Sequence, residues 1–247
     1  MSDQLVDQRQ NRSLALGVEA SFKGRTWVTS SFDERQAETL SQRLELDPTI
    51  AKLLSIRDQT FETARSFLNP ELRTLMPNPS VLKDMDKAAK RIVSAIEQRE
   101  QIVIFGDYDV DGATSVALWT RFLRCFGLSP NVYIPNRLTE GYGPSIEAMQ
   151  QIRNEGASLC LMVDCGTTAF EPLDAAAASG LDVIVMDHHQ AETRLPACIA
   201  MVNPKRLDDE SGLDDLCAAG VVFMALVAVN REIKAHPTLA RKINLLS

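Results

Sequence analysis

Asp107, Asp109 and Asp111 stand at alternate positions directly after the apolar run Ile102 to Phe105 and Gly106, and Gly112 closes the group. A chain leaving a strand in extended geometry puts alternate side chains on one side. The expectation is therefore three carboxylates facing one space. Buried and unpaired, such groups are strongly destabilising. A hard divalent cation, which prefers carboxylate oxygen, is the usual compensation. The competing reading is a solvated acidic turn, and the apolar strand just before the triplet favours metal over it. A calcium loop of the EF-hand type also begins D-x-D-x-D-G, but it needs a bidentate acid at its twelfth position. That position here is Leu118 in an apolar helical run, so the calcium-loop reading fails.

Two further clusters have the same context. The run SLCLMV ends at Asp164, followed by Cys165-Gly166-Thr167-Thr168, and VIVM ends at Asp187-His188-His189. Each lies at the C-terminal end of a predicted parallel strand, and in open α/β sheets those ends share one edge, where ligands bind. Adjacent residues point in different directions, so the two histidines are expected to do different jobs. One imidazole can ligate metal; the other can face substrate and donate a proton or stabilise charge. Asp187 can fix a histidine tautomer from behind. The third histidine, His236, sits in a polar tail and is given no role. A carboxylate-rich site with imidazoles suits Mn²⁺ or Mg²⁺ better than a thiolate-type zinc site. Asp164 is placed to bridge two ions, and a pair about 3.5–4 Å apart would clamp a phosphate, activate water and stabilise the leaving oxygen.

The surrounding elements must bring these clusters together. Helical periodicity runs through Ala37, Leu40, Leu44 and Leu46, and two shorter helical pieces, TIAKLLSIR and FETARSFLNP, follow. Trp27 reads as a packing anchor. The stretch LMPNP, Leu75 to Pro79, is the clearest linker. Beyond it come an amphipathic helix from Met85 to Arg99, the first strand, and a crossover helix from Val116 to Phe126. Strands and helices then alternate through Asn131–Ile134, Leu159–Val163, Asp182–Met186 and Ile199–Val202 to a long helix from Cys217 to Lys234. This alternation predicts an α/β fold, a parallel doubly wound sheet preceded by a small helical N-terminal segment. The domain expectation is a leader over 1–79 and the site-bearing domain over 80–247.

Composition restricts the function classes. The net charge of −7 argues against a general nucleic-acid coat, although a local basic groove or a metal-filled acidic cleft can still take a phosphate substrate. Five cysteines, an odd number with no C-x-x-C, fit a reducing compartment in which cysteine serves as a small apolar residue. No apolar run approaches the ~20 residues of a membrane span and the N-terminus has no signal-peptide core. The expectation is a cytoplasmic protein without a membrane partner.

DYDVDG at Asp107–Gly112, DCGTT at Asp164–Thr168 and DHH at Asp187–His189 resemble motifs I, II and III of the DHH phosphoesterase superfamily. The wider segments VIFGDYDVDGATS, YIPNRLTEGYG, VIVMDHHQ, Asn203-Pro204 and CAAGVVF are similar to its single-stranded-DNA exonuclease branch, from about Phe61 onward. The resemblance implies a two-metal Mn²⁺ or Mg²⁺ hydrolase that degrades single-stranded DNA from the 5′ end in repair and recombination. Single-stranded-DNA-binding protein and repair helicases are the implied partners of the full-length protein. It implies Asp109, Asp111, Asp164 and His188 as direct metal ligands, Asp107 as a ligand or close neighbour, and His189, with Asp187, as the catalytic pair. Asn136 and Arg137 are implied as substrate-binding residues; from the residues alone Arg137 is equally a solvated loop charge. A fourth family motif with another ligand Asp is expected beyond the long helix, so the chain reads as an N-terminal portion with little or no nuclease activity by itself. Asp208, Asp209, Asp214 and Asp215 read as a solvated acidic loop. A small-substrate phosphodiesterase of the same superfamily, acting on short RNA or cyclic dinucleotides, is the alternative.

Overall fold

The structure, a computed structural model, describes residues 14–239. It forms two compact units, one ending at Met76 and the other beginning at Pro77. In the first, an isolated antiparallel bridge joins Leu14 and Val28, and α1 (Glu34–Leu44), α2 (Pro48–Ile56), α3 (Phe61–Leu68) and α4 (Leu72–Leu75) follow. Asp33 accepts the Arg35 and Gln36 amides at the start of α1, and Asp47 caps α2 ahead of Pro48. These carboxylates satisfy N–H groups that a helix start leaves open. Leu40, Ala51, Leu54 and Ala64 make a small core. Trp27 is half exposed, so it anchors less than its apolar ring suggested.

The second unit runs α5 (Met85–Glu97), β1 (Ile102–Gly106), α6 (Val110–Arg124), β2 (Asn131–Tyr133), α7 (Ile146–Asn154), β3 (Leu159–Val163), α8 (Phe170–Ala178), β4 (Asp182–Met186), β5 (Ala200–Val202) and α9 (Ala218–Ala235). All strand pairs are parallel, in the order β2-β1-β3-β4-β5. β1 and β3 are buried along their whole length, which is why they read as continuous apolar runs rather than alternating ones. Val103, Phe105, Cys160, Met162, Val183 and Val185 pack toward α7 and α8 on one face. On the other face α9 packs on α5 and α6. Cys160 and Cys165 are buried as small apolar residues, whereas Cys125 and Cys217 are exposed.

Two features of this sheet position the site. From β1 the chain goes to β2 on one side and returns to β3 on the other, which makes the end of β1 and β3 the topological switch point. The register also pairs Gly106 with Val163, Val163 with Met186, and Met186 with Val202. The next residues along these strands, Asp107, Asp164, Asp187 and Asn203, therefore form one row across the sheet edge.

The aspartate triplet departs from the extended expectation. Helix α6 starts at Val110, earlier than its apolar pattern indicated, because Asp109 caps it by accepting the Asp111 and Gly112 amides, both at 2.9 Å. The three aspartates thus come from a strand end, a helix cap and a first helical turn. In the acidic loop after β5, Asp208, Asp214 and Asp215 are exposed, as expected of a solvated loop, and two of its acids are also tied: Asp208 pairs with the buried Arg206 at 2.8 Å, and Asp209 accepts the Lys83 amide at 2.8 Å.

Gly112 permits the tight return at the start of α6. A Cβ there would lie 2.5 Å from the Asp107 carbonyl oxygen, a backbone atom that cannot swing aside. Gly112→Ala should therefore destabilise the protein by about 1–3 kcal/mol, read as a lower urea midpoint at unchanged slope. An unchanged midpoint would show that the turn has room the geometry denies.

Candidate active site

The edge row supplies the most deeply buried acids. Asp107 is 5% exposed, and its Oδ1 has no hydrogen-bond partner. Burial, reinforced by the nearby Asp109 charge, raises its carboxyl pKa. Asp109 is exposed, and the Gly112 amide holds its carboxyl below the usual range. Asp164 is 2% exposed and sits in the left-handed region at φ 60°. Burial, then the Asp111 and Asp109 charges, push its carboxyl up to about 8.

Oxygen atoms of Asp107, Asp109 and Asp164 lie within 4.8 Å of one another, and so do ligand atoms of Asp164, His188 and His189. Asp164 belongs to both groups. His188 Nε2 stands 3.4 Å from Asp164 Oδ1 and 3.7 Å from Asp111 Oδ2. Asp111 is fixed from a distant element: its two oxygens accept the Ala218 and Ala219 amides, at 2.7 and 2.8 Å, at the N-terminus of α9. A carboxylate is well placed at that positive helix end.

Asp187, 1% exposed, stands behind the histidines. It accepts His189 Nδ1 at 2.7 Å, the Thr167 hydroxyl at 2.6 Å, the Thr167 amide at 3.1 Å and the His188 amide at 2.7 Å. Burial alone would raise its carboxyl pKa, but these bonds, His189 and Thr167 first, hold it below the usual value. The same contact with Asp187 raises the pKa of the half-exposed His189. His189 therefore carries its proton on Nδ1 and leaves Nε2 available.

Arg137 stacks over the Tyr108 ring at 5.0 Å, next in sequence to Asp107. Asn136 is engaged within its own loop, where its Oδ1 accepts the Leu138 amide at 2.9 Å and its own amide donates to Glu140 at 2.8 Å. Tyr142 donates its hydroxyl to the Asp164 carbonyl at 3.2 Å and lies 3.5 Å from His189 Nδ1. A cleft of about 380 Å³ opens beside it, lined by Tyr142, Gly143, Gly166, Thr168 and Phe170 among others. Sequence reasoning passed over Tyr108 and Tyr142. Tyr108 gave no signal beyond its place between two aspartates, and Tyr142 stands between two glycines at the end of the segment YIPNRLTEGYG.

The donor set fits a hard divalent cation on its own chemistry. Four carboxylates and an imidazole converge, one buried carboxylate oxygen lacks a partner, and no lysine or arginine among the described residues pairs with Asp107, Asp109, Asp111 or Asp164.

The family model described as DHH family, N-terminal domain, matches residues 101–246. The chain is 36% identical over 208 residues to the single-stranded-DNA-specific exonuclease RecJ of Bacillus subtilis, covering 84% of this chain and 26% of that protein. It is 31% identical over 221 residues to the protein of the same description from Escherichia coli, covering 85% and 38%. The crystal structure of RecJ in complex with Mn²⁺ from Thermus thermophilus matches with a TM-score of 0.68 at 28% identity, over 85% of this chain and 29% of that one. The chain spans between 26% and 38% of the length of these two curated relatives.

The raised Asp164 pKa has a consequence for stability. Without metal the folded protein holds this proton up to about pH 8, whereas an unfolded aspartate releases it near pKa ~3.9. Between those values the folded state binds more protons, so stability falls as pH rises through the window. Asp164→Asn has no charge to bury. In EDTA its melting temperature should exceed that of the unsubstituted protein by more at about pH 8.5 than at about pH 5. Equal differences at the two pH values would mean that Asp164 ionises freely.

Proposed function

The chain belongs to the DHH family, and on that premise we propose that it is a metal-dependent phosphodiesterase that removes nucleotides from the 5′ end of single-stranded DNA, in DNA repair and recombination. The observation that carries the proposal is the position of Asp164, shared by two ligand groups, deeply buried and then crowded by other carboxylates, so that it retains a proton. That arrangement is poorly suited to any occupant except cations.

Asp107, Asp109 and Asp164 would hold one Mn²⁺ or Mg²⁺ ion, and Asp164 with His188 a second, with Asp111 beside His188. Such ions neutralise phosphate charge and provide a nucleophilic water at neutral pH. The remaining work falls to the chain itself. His189, held through Nδ1 by Asp187, presents Nε2 to a phosphate or leaving oxygen, where it can hold or donate a proton. Arg137 is pre-oriented by the Tyr108 ring, which leaves the edge of its guanidinium for a phosphate. Asn136 supports this contact by shaping the loop that carries Arg137. Among the described residues no helix is long and apolar enough to cross a membrane. The reading places the protein in the cytoplasm, with single-stranded-DNA-binding protein and repair helicases as partners.

The test is digestion of long single strands, labelled at either end, by the full-length protein with Mn²⁺. Mononucleotides should leave the 5′ end first, and His189→Ala should lower turnover by about 10²–10⁴-fold. Release of no nucleotides from either strand would sink the proposal. Faster turnover of a dinucleotide than of a long strand would reassign the site to small substrates.

A further inference from the structure

Asn203 is the fourth member of the row that contains Asp107, Asp164 and Asp187, and it is fully buried. Three of the four hydrogen bonds its amide can make are in place. Nδ2 donates to Thr167 Oγ1 at 2.8 Å and to the His189 carbonyl at 2.9 Å, while Oδ1 accepts the Lys205 amide at 2.8 Å. The orientation is forced by these partners. A flipped amide would set oxygen against the His189 carbonyl oxygen and NH₂ against the Lys205 N–H.

Thr167 has a single hydroxyl proton, which goes to Asp187 Oδ2 at 2.6 Å. Its lone pairs are therefore what Asn203 meets. The other oxygen of Asp187, Oδ1, receives His189 Nδ1 at 2.7 Å. Donors thus run from the Asn203 amide to the Thr167 hydroxyl and on to the Asp187 carboxylate, and His189 Nδ1–H arrives from the opposite end. The first two bonds run the same way and polarise one another; His189 Nδ1–H and the Thr167 hydroxyl are two donors to one carboxylate, so what Thr167 supplies to His189 is the fixed orientation of Asp187.

We propose that Asn203 is a positioning residue for His189. It holds the His189 backbone directly, and through Thr167 and Asp187 it holds the Nδ1-protonated tautomer, so that Nε2 is the nitrogen offered to substrate. The effect on turnover rests on the phosphodiesterase reading; the tautomer of His189 is a property of the protein alone.

The experiment combines imidazole ¹⁵N NMR of the full-length protein in Mg²⁺, a diamagnetic ion, with Mn²⁺-dependent kinetics on single-stranded DNA. Asn203→Asp keeps the size of the side chain but replaces its donors with acceptors, which draw the Thr167 proton away from Asp187. Thr167→Val removes the hydroxyl at nearly constant shape, and Thr167→Ser keeps it. The unsubstituted protein should show His189 protonated on Nδ1. Asn203→Asp and Thr167→Val should lose that signature, and Thr167→Ser should retain it. In Asn203→Asp, kcat should fall by about 10–100-fold with KM changed less than about twofold. If Asn203→Asp does not fold, the two Thr167 variants carry the comparison. An unchanged tautomer in the disrupting variants overturns the proposal, and so does an altered tautomer with unchanged kcat. If the unsubstituted protein releases no nucleotides, the phosphodiesterase reading fails and the spectra alone decide the positioning.

Discussion

The dominant constraint on this structure is electrostatic: too many carboxylates converge at one sheet edge for the protein to neutralise by itself. Each is treated differently. Asp109 is satisfied by amides at the start of α6, Asp111 by amides at the start of α9, and Asp187 by Thr167 and the two histidines. These uses of helix starts and backbone donors stabilise negative charge at fixed points. Asp107 and Asp164 receive no comparable help. One keeps a buried oxygen without a partner, and the other retains a proton to about 8. What the chain leaves uncompensated therefore maps onto the place where cations are needed.

Register converts sequence distance into proximity. β1, β3, β4 and β5 are aligned so that their last residues pair in order, and the first residue beyond each one is polar. A slip of one residue in any pair would exchange that polar side chain for a buried apolar one. Continuous burial of β1 and β3 guards against such a slip, because the apolar runs have packing partners on both faces. The same core that stabilises the sheet thus sets the geometry of the acids. They stand at the switch point, from which the neighbouring crossovers depart in opposite directions.

Much of this was legible in the sequence because it followed from short-range patterns. Apolar runs closed by acids indicated strands ending at a shared edge, and the parallel doubly wound sheet follows from their alternation with helices. The parts that were not legible depend on contacts between distant residues. No local signal links Asp111 to Ala218 and Ala219, more than a hundred positions away. The apolar pattern starts helix α6 too late because the cap residue is itself an acid of the cluster, and alternation alone assigns Asp109 to an extended triplet. Asn203, with Pro204, entered the sequence reading only as one of the resembling segments, just after the fifth strand. Its position one residue beyond an apolar strand, as for the aspartates, was the available signal.

The adjacent histidines show how environment gives identical side chains different partners. Their ring centroids are 4.8 Å apart, yet His188 turns Nε2 toward Asp111 and Asp164 while His189 turns Nδ1 toward Asp187. His188 faces carboxylates that have charge to share with a cation. His189 faces a carboxylate already saturated by Thr167 and backbone amides, which can orient a ring but has little capacity left to bind an ion. The distinction originates in the row itself. Asp164 stands beside Asp107 and is crowded by acids, whereas Asp187 stands beside Asn203 and is supported by donors. An amide in place of an acid at the last of these strand ends thus separates a flank crowded by carboxylates from one supplied with donors.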